Sequence, residues 1–421
     1  MASYLDSRRE RIARAWGLTD GIVLVGAGHP ISIPGGQDQT YPFLSHSAYV
    51  YLADRECVGG VVAFDPKEGW TDFVPDVTED ERVWEGRLDA EGTPLSKLDG
   101  WLEARRGRPV ALLGVPVAGV KPDATLTAEV AEKLLQAQRP KDEVELERMR
   151  RAAAATAAGF AAVRRLVKPG VTERQLQVEL ELEFLRHGAD RCAFGTIVGT
   201  GPDTGVLHFT PGARVVRDGD ALMIDAGAEV GRYAADVTRT WQAGAQGGFF
   251  RDLYQVVLAA QVRGIERCRA GVEWREVHLA AARDLAEGLV GLGILRGSPD
   301  SLVEQDAHAL FFPHGLGHLV GLGVRDASGY LPGRKRSTRF GLAFLRCDFP
   351  LQPDFVITVE PGLYFIPALL KDPERRSRYR DAVNWAKVDT LLGFGGIRIE
   401  DDVRVTAGEP EVLTAAIPKT L

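Results

Sequence analysis

The sequence predicts an α+β protein with two domains, a small N-terminal α/β domain and a larger C-terminal domain. The chain has 421 residues, which is more than one hydrophobic core usually serves. Short β-like runs alternate with helix-like stretches at first, and the later alternation is less regular than in a Rossmann fold. Pro140 precedes the acidic start of a long helical pattern, so we expect domains at residues 1–139 and 140–421.

The predicted elements follow in order along the chain. The β-like runs of the first domain are residues 21–25, 48–52, 59–64 and 110–113. The second domain should begin with a long helix that ends at Pro169 and Gly170, and Thr172 with Gln175 forms a capping box for the next helix. Further strands are expected at 221–224 and 355–359, and further helices at 249–268 and 273–289.

Composition excludes several classes of function. Apolar residues make up 45% and charged residues 26%, as in ordinary globular proteins. The net charge of -7 argues against a nucleic-acid partner, and no apolar run reaches the length of a membrane span. Four scattered cysteines suggest neither a disulfide framework nor a thiolate metal site. With no secretory signal visible, we expect a cytoplasmic enzyme.

A predicted hairpin carries the sharpest local feature, Asp225 and Asp236. With Val230 and Gly231 at the turn, the two aspartates would lie directly opposite each other, with Cβ atoms roughly 5 Å apart. Carboxylates that close repel unless a proton or a cation lies between them, and two divalent metals are one solution. An acidic pair that faces water on an edge strand is the alternative.

His314 and His318 lie four residues apart in a segment that also contains Pro313 and two glycines. This composition opposes a regular helix and favours a strand or loop whose backbone approaches a ligand closely. Two core or surface imidazoles joined by a glycine turn are the alternative.

Glu360 and Glu400 each follow an apolar, strand-like run. A glutamate in such a run is costly to bury unless it is paired or bound to a metal, although each alone could be a surface acid. Together with the two aspartates and a histidine they form a hard, oxygen-rich set of donors. Such a set suits manganese, cobalt or another divalent ion better than a metal that prefers thiolates.

The order Asp225, Asp236, His318, Glu360 and Glu400 resembles the five-ligand signature of the pita-bread metallopeptidases, which include methionine aminopeptidase, aminopeptidase P and prolidase. Matching segments cover most of residues 141–405. The strings at 345–347, 359–366, 384–385 and 394–401 are most similar to bacterial Xaa-Pro dipeptidase, or prolidase. The resemblance implies a C-terminal pita-bread domain, a curved β-sheet cupped around the metals with helices on its convex face.

The resemblance also implies roles for individual residues. The five residues in that signature would bind two divalent ions per subunit, with Mn²⁺ expected first and Co²⁺ or Zn²⁺ as alternatives. Glu360 would also exchange protons with the attacking water, and His208 and His314 would steady the substrate's carbonyl oxygen. Asp236 and Glu400 would bridge the two ions, and Arg398 would support these carboxylates and belongs with the substrate-binding arginines.

Two other arginines bear on the substrate. Arg346 matches the prolidase position that holds the substrate's free C-terminal carboxylate, a task that suits a planar, permanently charged fork. Arg325 stands just before Asp326, where the family usually carries histidine. Because arginine cannot titrate near neutrality, this departure puts standard substrate specificity in doubt more than the metal site.

Three hypotheses follow. The first is a dipeptidase that releases proline from Xaa-Pro dipeptides, using a water held between two metals. The second is an aminopeptidase P, which acts on longer peptides with the same metal core. The third is a non-catalytic binding module, which predicts missing ligands, whereas all five are present. By resemblance we expect a homodimer with a small peptide substrate, and neither a nucleic acid nor a membrane as partner.

Overall fold

The computed structural model describes residues 3–244 and 247–421. Contacts between Cα atoms divide the chain into two compact units, Met1–Gln138 and Arg139–Leu421. Among the described helices, none is both long enough and apolar enough to cross a bilayer. The four cysteines are free thiols.

The N-terminal unit is built on one five-stranded sheet. Its strands are β1 (Ile22–Gly26), β2 (Val61–Asp65), β3 (Gly69–Val74), β4 (Thr93–Pro94) and β5 (Val110–Gly114). Their order in the sheet is β4-β3-β2-β1-β5, with β1 antiparallel to β2 and parallel to β5. Its α-helices are α1 (Tyr4–Trp16), α2 (Ser47–Ala53), α3 (Glu79–Glu85), α4 (Leu98–Glu103) and α5 (Ala124–Gln138).

The strand predicted at residues 48–52 is wrong, because this segment forms helix α2. The side chain of His46 accepts a hydrogen bond from the backbone N–H of Ala48 at 3.1 Å, which caps the first turn. Asp54 ends the helix in the left-handed conformation, with φ 51°. Since every residue from 48 to 53 is buried, the run is apolar all round, and its periodicity could not separate a strand from a helix.

The first two helices of the C-terminal unit begin with capping boxes, of which the one at Thr172 and Gln175 was expected from the sequence. In α6, Asp142 caps Glu145, and in α7, Thr172 caps Gln175. The α-helices of this unit are α6 (Glu143–Arg164), α7 (Glu173–Arg186), α8 (Gly248–Glu266), α9 (Trp274–Gly291), α10 (Pro299–Glu304), α11 (Pro367–Leu370), α12 (Pro373–Arg378) and α13 (Trp385–Asp389).

The strands of the C-terminal unit are short and form several small sheets. They are β6 (Arg191–Cys192), β7 (Ile197–Thr200), β8 (Ala221–Ala226), β9 (Ala228–Val230), β10 (Tyr233–Ala234), β11 (Val237–Gln242), β12 (Gly329–Tyr330), β13 (Cys347–Asp348), β14 (Val356–Val359), β15 (Gly362–Tyr364), β16 (Gly396–Arg398), β17 (Asp401–Arg404) and β18 (Glu411–Val412). Antiparallel pairs join β7 to β8, β8 to β11, β14 to β17 and β15 to β16. These pairs carry the functional side chains.

Hydrogen bonds between β11 and the segment that joins β16 to β17 connect the small sheets at the site. The backbone N–H of Glu400 donates to the carbonyl oxygen of Thr238 at 3.0 Å. The hydroxyl of Thr240 donates to the carbonyl oxygen of Arg398 at 2.9 Å. A large apolar cluster, which includes Leu253, Leu285 and Ile357, packs beneath these strands. The site therefore rests on buried β-structure, which limits the movement of its side chains.

Candidate metal centre

All ten residues singled out in the sequence line one cavity of about 830 Å³ in the C-terminal unit. They are His208, Asp225, Asp236, His314, His318, Arg325, Arg346, Glu360, Arg398 and Glu400. We call Asp225, Asp236, His318, Glu360 and Glu400 the ligand set. They come from separate strands and loops, so the fold brings together residues that lie as far apart in sequence as 225 and 400.

The predicted hairpin register is wrong by two residues. Asp225 pairs with Thr238, and not with Asp236. A shift of two keeps each side chain on its own face, because the side chains of a strand alternate with a period of two. Asp225 and Asp236 therefore still face the same cavity, but as diagonal neighbours.

Backbone conformation at the turn explains the shift. The turn residues are Gly231 and Arg232, both with positive φ, at 55° and 74°. Positive φ at both positions is the requirement of a type I′ turn, the two-residue turn that best fits strand twist. Gly227 is also needed, since a Cβ there would lie 1.7 Å from the carbonyl oxygen of Ala235. The strands approach most closely just beside Asp236.

The segment that carries His318 is irregular and runs alongside β14, in agreement with the loop or strand predicted for it. The backbone N–H of Thr358 donates to the carbonyl oxygen of His318 at 2.8 Å, and that of Glu360 donates to Leu316 at 2.8 Å. A Cβ on Gly317 would lie 1.9 Å from the carbonyl oxygen of Thr358. The glycine thus permits close packing on β14, which sets His318 beside Glu360.

His318 is held in one orientation. Its Nδ1 lies 3.0 Å from the carbonyl oxygen of Leu319, which can only accept, so Nδ1 carries the ring proton. Its Nε2 lies 3.4 Å from Asp236 Oδ2 and 3.8 Å from Glu360 Oε1. Burial, with the charge of Arg325, lowers the pKa of His318 well below 6.5. The neutral imidazole therefore points a lone pair at two carboxylates.

The positive charge near the buried carboxylates of the ligand set is too small to keep all of them ionised. Burial, with the charges of Glu400 and Asp225, raises the pKa of Asp236 well above its ordinary 3.8. Burial, with the charges of Glu360 and Asp225, raises the pKa of Glu400 well above 4.5. Among the described residues, Asp225 Oδ1 is buried and has no hydrogen-bond partner. Such a cluster is unstable unless protons or cations are bound.

A divalent cation fits these observations. Asp236, His318 and Glu400 are buried, and one donor atom from each lies within 4.8 Å of the others. A cation there would relieve the repulsion between carboxylates and accept the Nε2 lone pair of His318. Asp225, whose Oδ1 has no hydrogen-bond partner among the described residues, lines the same cavity. Carboxylate oxygens with one imidazole are a donor set that hard divalent ions prefer.

Arg398 supports the ligand set through a buried network of hydrogen bonds. Its guanidinium donates to Asp225 Oδ2 at 2.5 Å, to the Tyr364 hydroxyl at 2.9 Å and to Thr238 Oγ1 at 3.0 Å. Tyr364 in turn lies 2.9 Å from His314 Nε2, and Thr238 donates to Glu400 at 2.6 Å.

The sequence analysis did not single out Tyr364 or Thr238. Tyr364 lies within the 359–366 string that carries the resemblance. A tyrosine in such an apolar string could have been singled out, because a buried tyrosine hydroxyl usually has a hydrogen-bond partner. Thr238 could be found only with the correct register, because its partner across the strand pair is Asp225. Thr238 orients Glu400 of the ligand set directly, whereas Tyr364 contacts Arg398 and His314, which lie beside that set.

Two histidines and Glu360 complete the inner part of the cavity. Nδ1 of His314 lies 2.8 Å from the carbonyl oxygen of Gly315, so both ring nitrogens of His314 have partners. Burial, with the charges of Arg325 and Arg346, lowers the pKa of His208, which is therefore neutral at neutral pH. Burial raises the pKa of Glu360 to about 7, although Arg398 and Arg325 oppose the rise.

Arg325 and Arg346 are exposed side chains on the cavity wall. Arg336 lines the same wall, and nothing in the sequence pattern distinguished it from other loop arginines. Next to Arg325, the side chain of Asp326 is buried in a 2.8 Å salt bridge with Lys141. This pair anchors the loop that carries Arg325.

Comparisons with known proteins agree with this geometry. The family model described as metallopeptidase family M24 matches residues 147–407. The chain is 32% identical to the Xaa-Pro dipeptidase of Xanthomonas campestris, over 98% of this chain and 97% of that protein. It is 38% identical to the Xaa-Pro aminopeptidase of Escherichia coli, over 64% of this chain and 55% of that protein.

Solved structures give the same picture of the fold. The aminopeptidase PepP of Pseudomonas aeruginosa superposes with a TM-score of 0.79 at 26% identity, covering 99% of this chain and 96% of that chain. An aminopeptidase P of Escherichia coli superposes with a TM-score of 0.79 at 28% identity, over 98% of this chain and 96% of that chain. The predicted fold class, an N-terminal domain followed by a pita-bread domain, is confirmed.

Proposed function

The chain belongs to metallopeptidase family M24, and on this premise we propose that it hydrolyses Xaa-Pro dipeptides and releases proline. One observation carries the proposal: the ligand set and the unpaired Arg346 line the same cavity. A catalytic centre for hydrolysis and a fixed positive charge for a free carboxylate are thereby within reach of one small substrate.

We propose that the ligand set holds two divalent ions, and that Mn²⁺ is the first ion to test. Four carboxylates carry as much negative charge as two divalent cations carry positive charge, and hard oxygen donors dominate the set. When bound, such ions polarise the peptide carbonyl and make water a stronger nucleophile near neutral pH.

The residues of the chain supply proton transfer and orientation. Water adds its oxygen to the carbonyl carbon, and the bond from that carbon to the proline nitrogen breaks. Glu360 takes the proton from the attacking water and delivers it to the proline nitrogen. Burial already raises the pKa of Glu360, so this carboxyl lies in surroundings that favour holding a proton.

His208 and His314 serve the substrate differently. His208 is exposed in the cavity and neutral, so a ring N–H can donate to the substrate's carbonyl oxygen as negative charge develops there. His314 is tied to Tyr364 and to the carbonyl of Gly315, which keeps the ring in one orientation beside Glu360. Its Nδ1 lies 3.8 Å from Glu360 Oε2.

Arg346 supplies the preference for dipeptides. Its guanidinium can bind the free carboxylate of a C-terminal proline with two parallel hydrogen bonds. A longer peptide carries an amide at this position and gives no such ion pair. Aminopeptidase P activity is the second candidate, because the solved structures that superpose on the chain are aminopeptidases P.

Cleavage of matched substrates tests the proposal. Protein stripped of metal and then reloaded with Mn²⁺ or Co²⁺ is given Ala-Pro and Ala-Pro-Ala. We expect metal-dependent release of proline from Ala-Pro, with kcat/KM about 10- to 100-fold above that for the tripeptide, as a charge-assisted hydrogen bond of about 1.5–3 kcal/mol would give. Preference for the tripeptide would move the assignment to aminopeptidase P.

A variant pair tests the role of Arg346. Arg346→Ala should remove most of the preference for the dipeptide, chiefly through a higher KM. Arg380→Ala is the matched control, because Arg380 is an exposed arginine with 75% of its side chain accessible, outside the residues that line the cavity. An unchanged preference in Arg346→Ala contradicts the carboxylate clamp. Failure to cleave either peptide contradicts the proposed function itself.

A further inference from the structure

Three arginines on the cavity wall have no partner that neutralises them. Arg325, Arg336 and Arg346, which we call the arginine cluster, are all exposed and line the cavity. Within residues 3–244 and 247–421, none of the three makes a hydrogen bond or a salt bridge. An arginine with five donors and no acceptor on a cavity wall is arranged to bind an anion.

The charges of the arginine cluster act on one another. Partial desolvation in the cavity lowers the pKa of Arg346, and the positive charges of Arg325 and Arg336 act in the same direction, while the negative charge of Glu360 opposes them. Because guanidinium groups stay protonated in proteins, these residues remain positive and repel each other. No hydrogen bond or salt bridge among the described residues explains why three positive charges lie together on this wall. Their placement suggests that the cavity binds a molecule with more than one negative charge.

Arg398 shows what a structural arginine looks like in the same cavity. It is buried and donates to Asp225, Tyr364 and Thr238. The arginine cluster has none of these features. In addition, the two divalent ions of the proposed function would balance the negative charge of the four carboxylates in the ligand set. Those carboxylates would then not neutralise the arginine cluster.

We propose that Arg325 and Arg336 form a second anion site beside Arg346, which binds the acidic side chain of the residue before proline. The inference rests on the proposed function. A Xaa-Pro dipeptide has one carboxylate at its C-terminus, which Arg346 binds. Any second negative charge on such a dipeptide belongs to the side chain of its first residue, so the preferred substrates are Glu-Pro and Asp-Pro.

Arg325 places a permanent positive charge on the cavity wall, whereas a titratable side chain such as histidine would be mostly neutral at pH 7. Together with burial, that charge lowers the pKa of His208, and Arg325 and Arg336 both line the cavity that contains the ligand set.

A pair of nearly isosteric substrates tests the inference. The Mn²⁺-loaded full chain is given Glu-Pro and Gln-Pro, which differ in charge but hardly in shape, together with Ala-Pro. We expect kcat/KM for Glu-Pro to exceed that for Gln-Pro by about 10-fold at low ionic strength, mainly through KM. Because the arginine cluster is exposed, the ratio should fall several-fold in about 0.5 M salt.

Substitutions of Arg325 and Arg336 test whether these two residues cause the preference for Glu-Pro over Gln-Pro. Arg325→Gln and Arg336→Gln should each lower the ratio of Glu-Pro to Gln-Pro, and the double variant should bring it close to one. Arg325→Lys should keep most of the ratio, because it keeps the charge, and Arg380→Gln is the matched surface control. All three positions are exposed, so these substitutions leave the packed core intact.

The outcomes separate this inference from the proposed function. Cleavage of Ala-Pro and Gln-Pro with a ratio of one or less for the wild type overturns the second anion site and leaves the dipeptidase intact. A raised ratio that persists in the double variant also overturns it. If no Xaa-Pro dipeptide is cleaved, the proposed function fails, and the inference fails with it.

Discussion

Glu400 and Asp401 are neighbours in the chain and both are buried, yet their surroundings are opposite. Glu400 lies in the ligand set, where other carboxylates raise its pKa. Asp401 faces a second cluster, in which Arg239 and Lys419 more than offset the effect of burial and lower its pKa. Glu400 directly precedes β17 and Asp401 is its first residue, so one step along the chain separates the two clusters.

The cluster around Asp401 is complete within the chain. Arg239 and Thr414 donate to Oδ1 at 2.7 and 2.8 Å. Gln261 and Lys419 donate to Oδ2, each at 2.8 Å. Both oxygens of this buried carboxylate therefore have charged and neutral donors, which is the condition for burying an ion.

Within the ligand set, donors from the chain are far fewer. Glu400 accepts a hydrogen bond from Thr238, and one oxygen of Asp225 accepts from Arg398 while the other has no partner among the described residues. The difference teaches how to distinguish structural from functional buried acids. A buried acid whose charge is balanced by donors of the chain serves the fold, and a group of buried acids without such donors is a candidate site for a cation.

The largest effect should come from Asp236→Asn. Removing a ligand from the centre should lower kcat for Ala-Pro by about 10³-fold or more, since metal ions supply several kcal/mol to such reactions. Stability should respond in the opposite sense to activity. Without metal, the variant should be at least as stable as the wild type, because the substitution removes one repelling carboxylate. Urea unfolding of both metal-free proteins measures this, and a large loss of stability would make Asp236 a structural residue.

Asp401→Asn should lower the stability of the protein, in contrast to Asp236→Asn. It leaves the buried guanidinium of Arg239 and the partly exposed ammonium of Lys419 beside a neutral amide, and we expect a loss of about 3–5 kcal/mol in the free energy of unfolding. Asp389→Asn, which breaks an exposed pair with Arg376, should have little effect. Equal stability of the Asp401 and Asp389 variants would contradict the structural role.

The Asp401 variant should also change the response to acid. The folded state lowers the pKa of Asp401 below its ordinary 3.8. The stability that this provides is present above pH 3.8 and is lost as the pH falls through the folded-state pKa. Asp401→Asn should lack this part of the acid dependence, which unfolding curves between about pH 2 and pH 5 would reveal.

Tyr364→Phe should have a smaller effect, confined to catalysis. The hydroxyl joins His314 to Arg398, so its loss should lower kcat about 10-fold, and at most about 100-fold, with little change in KM. Tyr379→Phe is the matched control, because the Tyr379 hydroxyl is buried with no hydrogen-bond partner among the described residues. Similar kinetics for both variants would remove Tyr364 from the network.

Much of this arrangement could be read from the sequence, and the failures have physical causes. The sequence motifs identified Asp225, His318 and Glu400 as candidate metal ligands. The three residues line one cavity of the folded chain, and their roles are proposals. The segment at 48–52 was misassigned because complete burial removes the periodicity that separates helix from strand.

The hairpin register and Arg336 show a different limit. The register depended on the backbone conformation of Gly231 and Arg232. Arg232 has a φ of 74°, and because positive φ is uncommon for arginine, the sequence did not predict this turn. Arg336 lies in a loop, where no period or cap indicates which surface its side chain faces. Local patterns predict elements well, whereas contacts between distant loops depend on packing of the whole unit.

The most direct test of the central claim is the number of metal ions bound per chain. Wild type, Asp236→Asn and Asp401→Asn are each equilibrated with Mn²⁺, dialysed and measured by elemental analysis against protein concentration. We expect two ions in the wild type, fewer than one in Asp236→Asn, and close to two in Asp401→Asn under conditions in which it is folded. Wild type without bound metal, or equal metal content in the wild type and Asp236→Asn, would contradict the central claim.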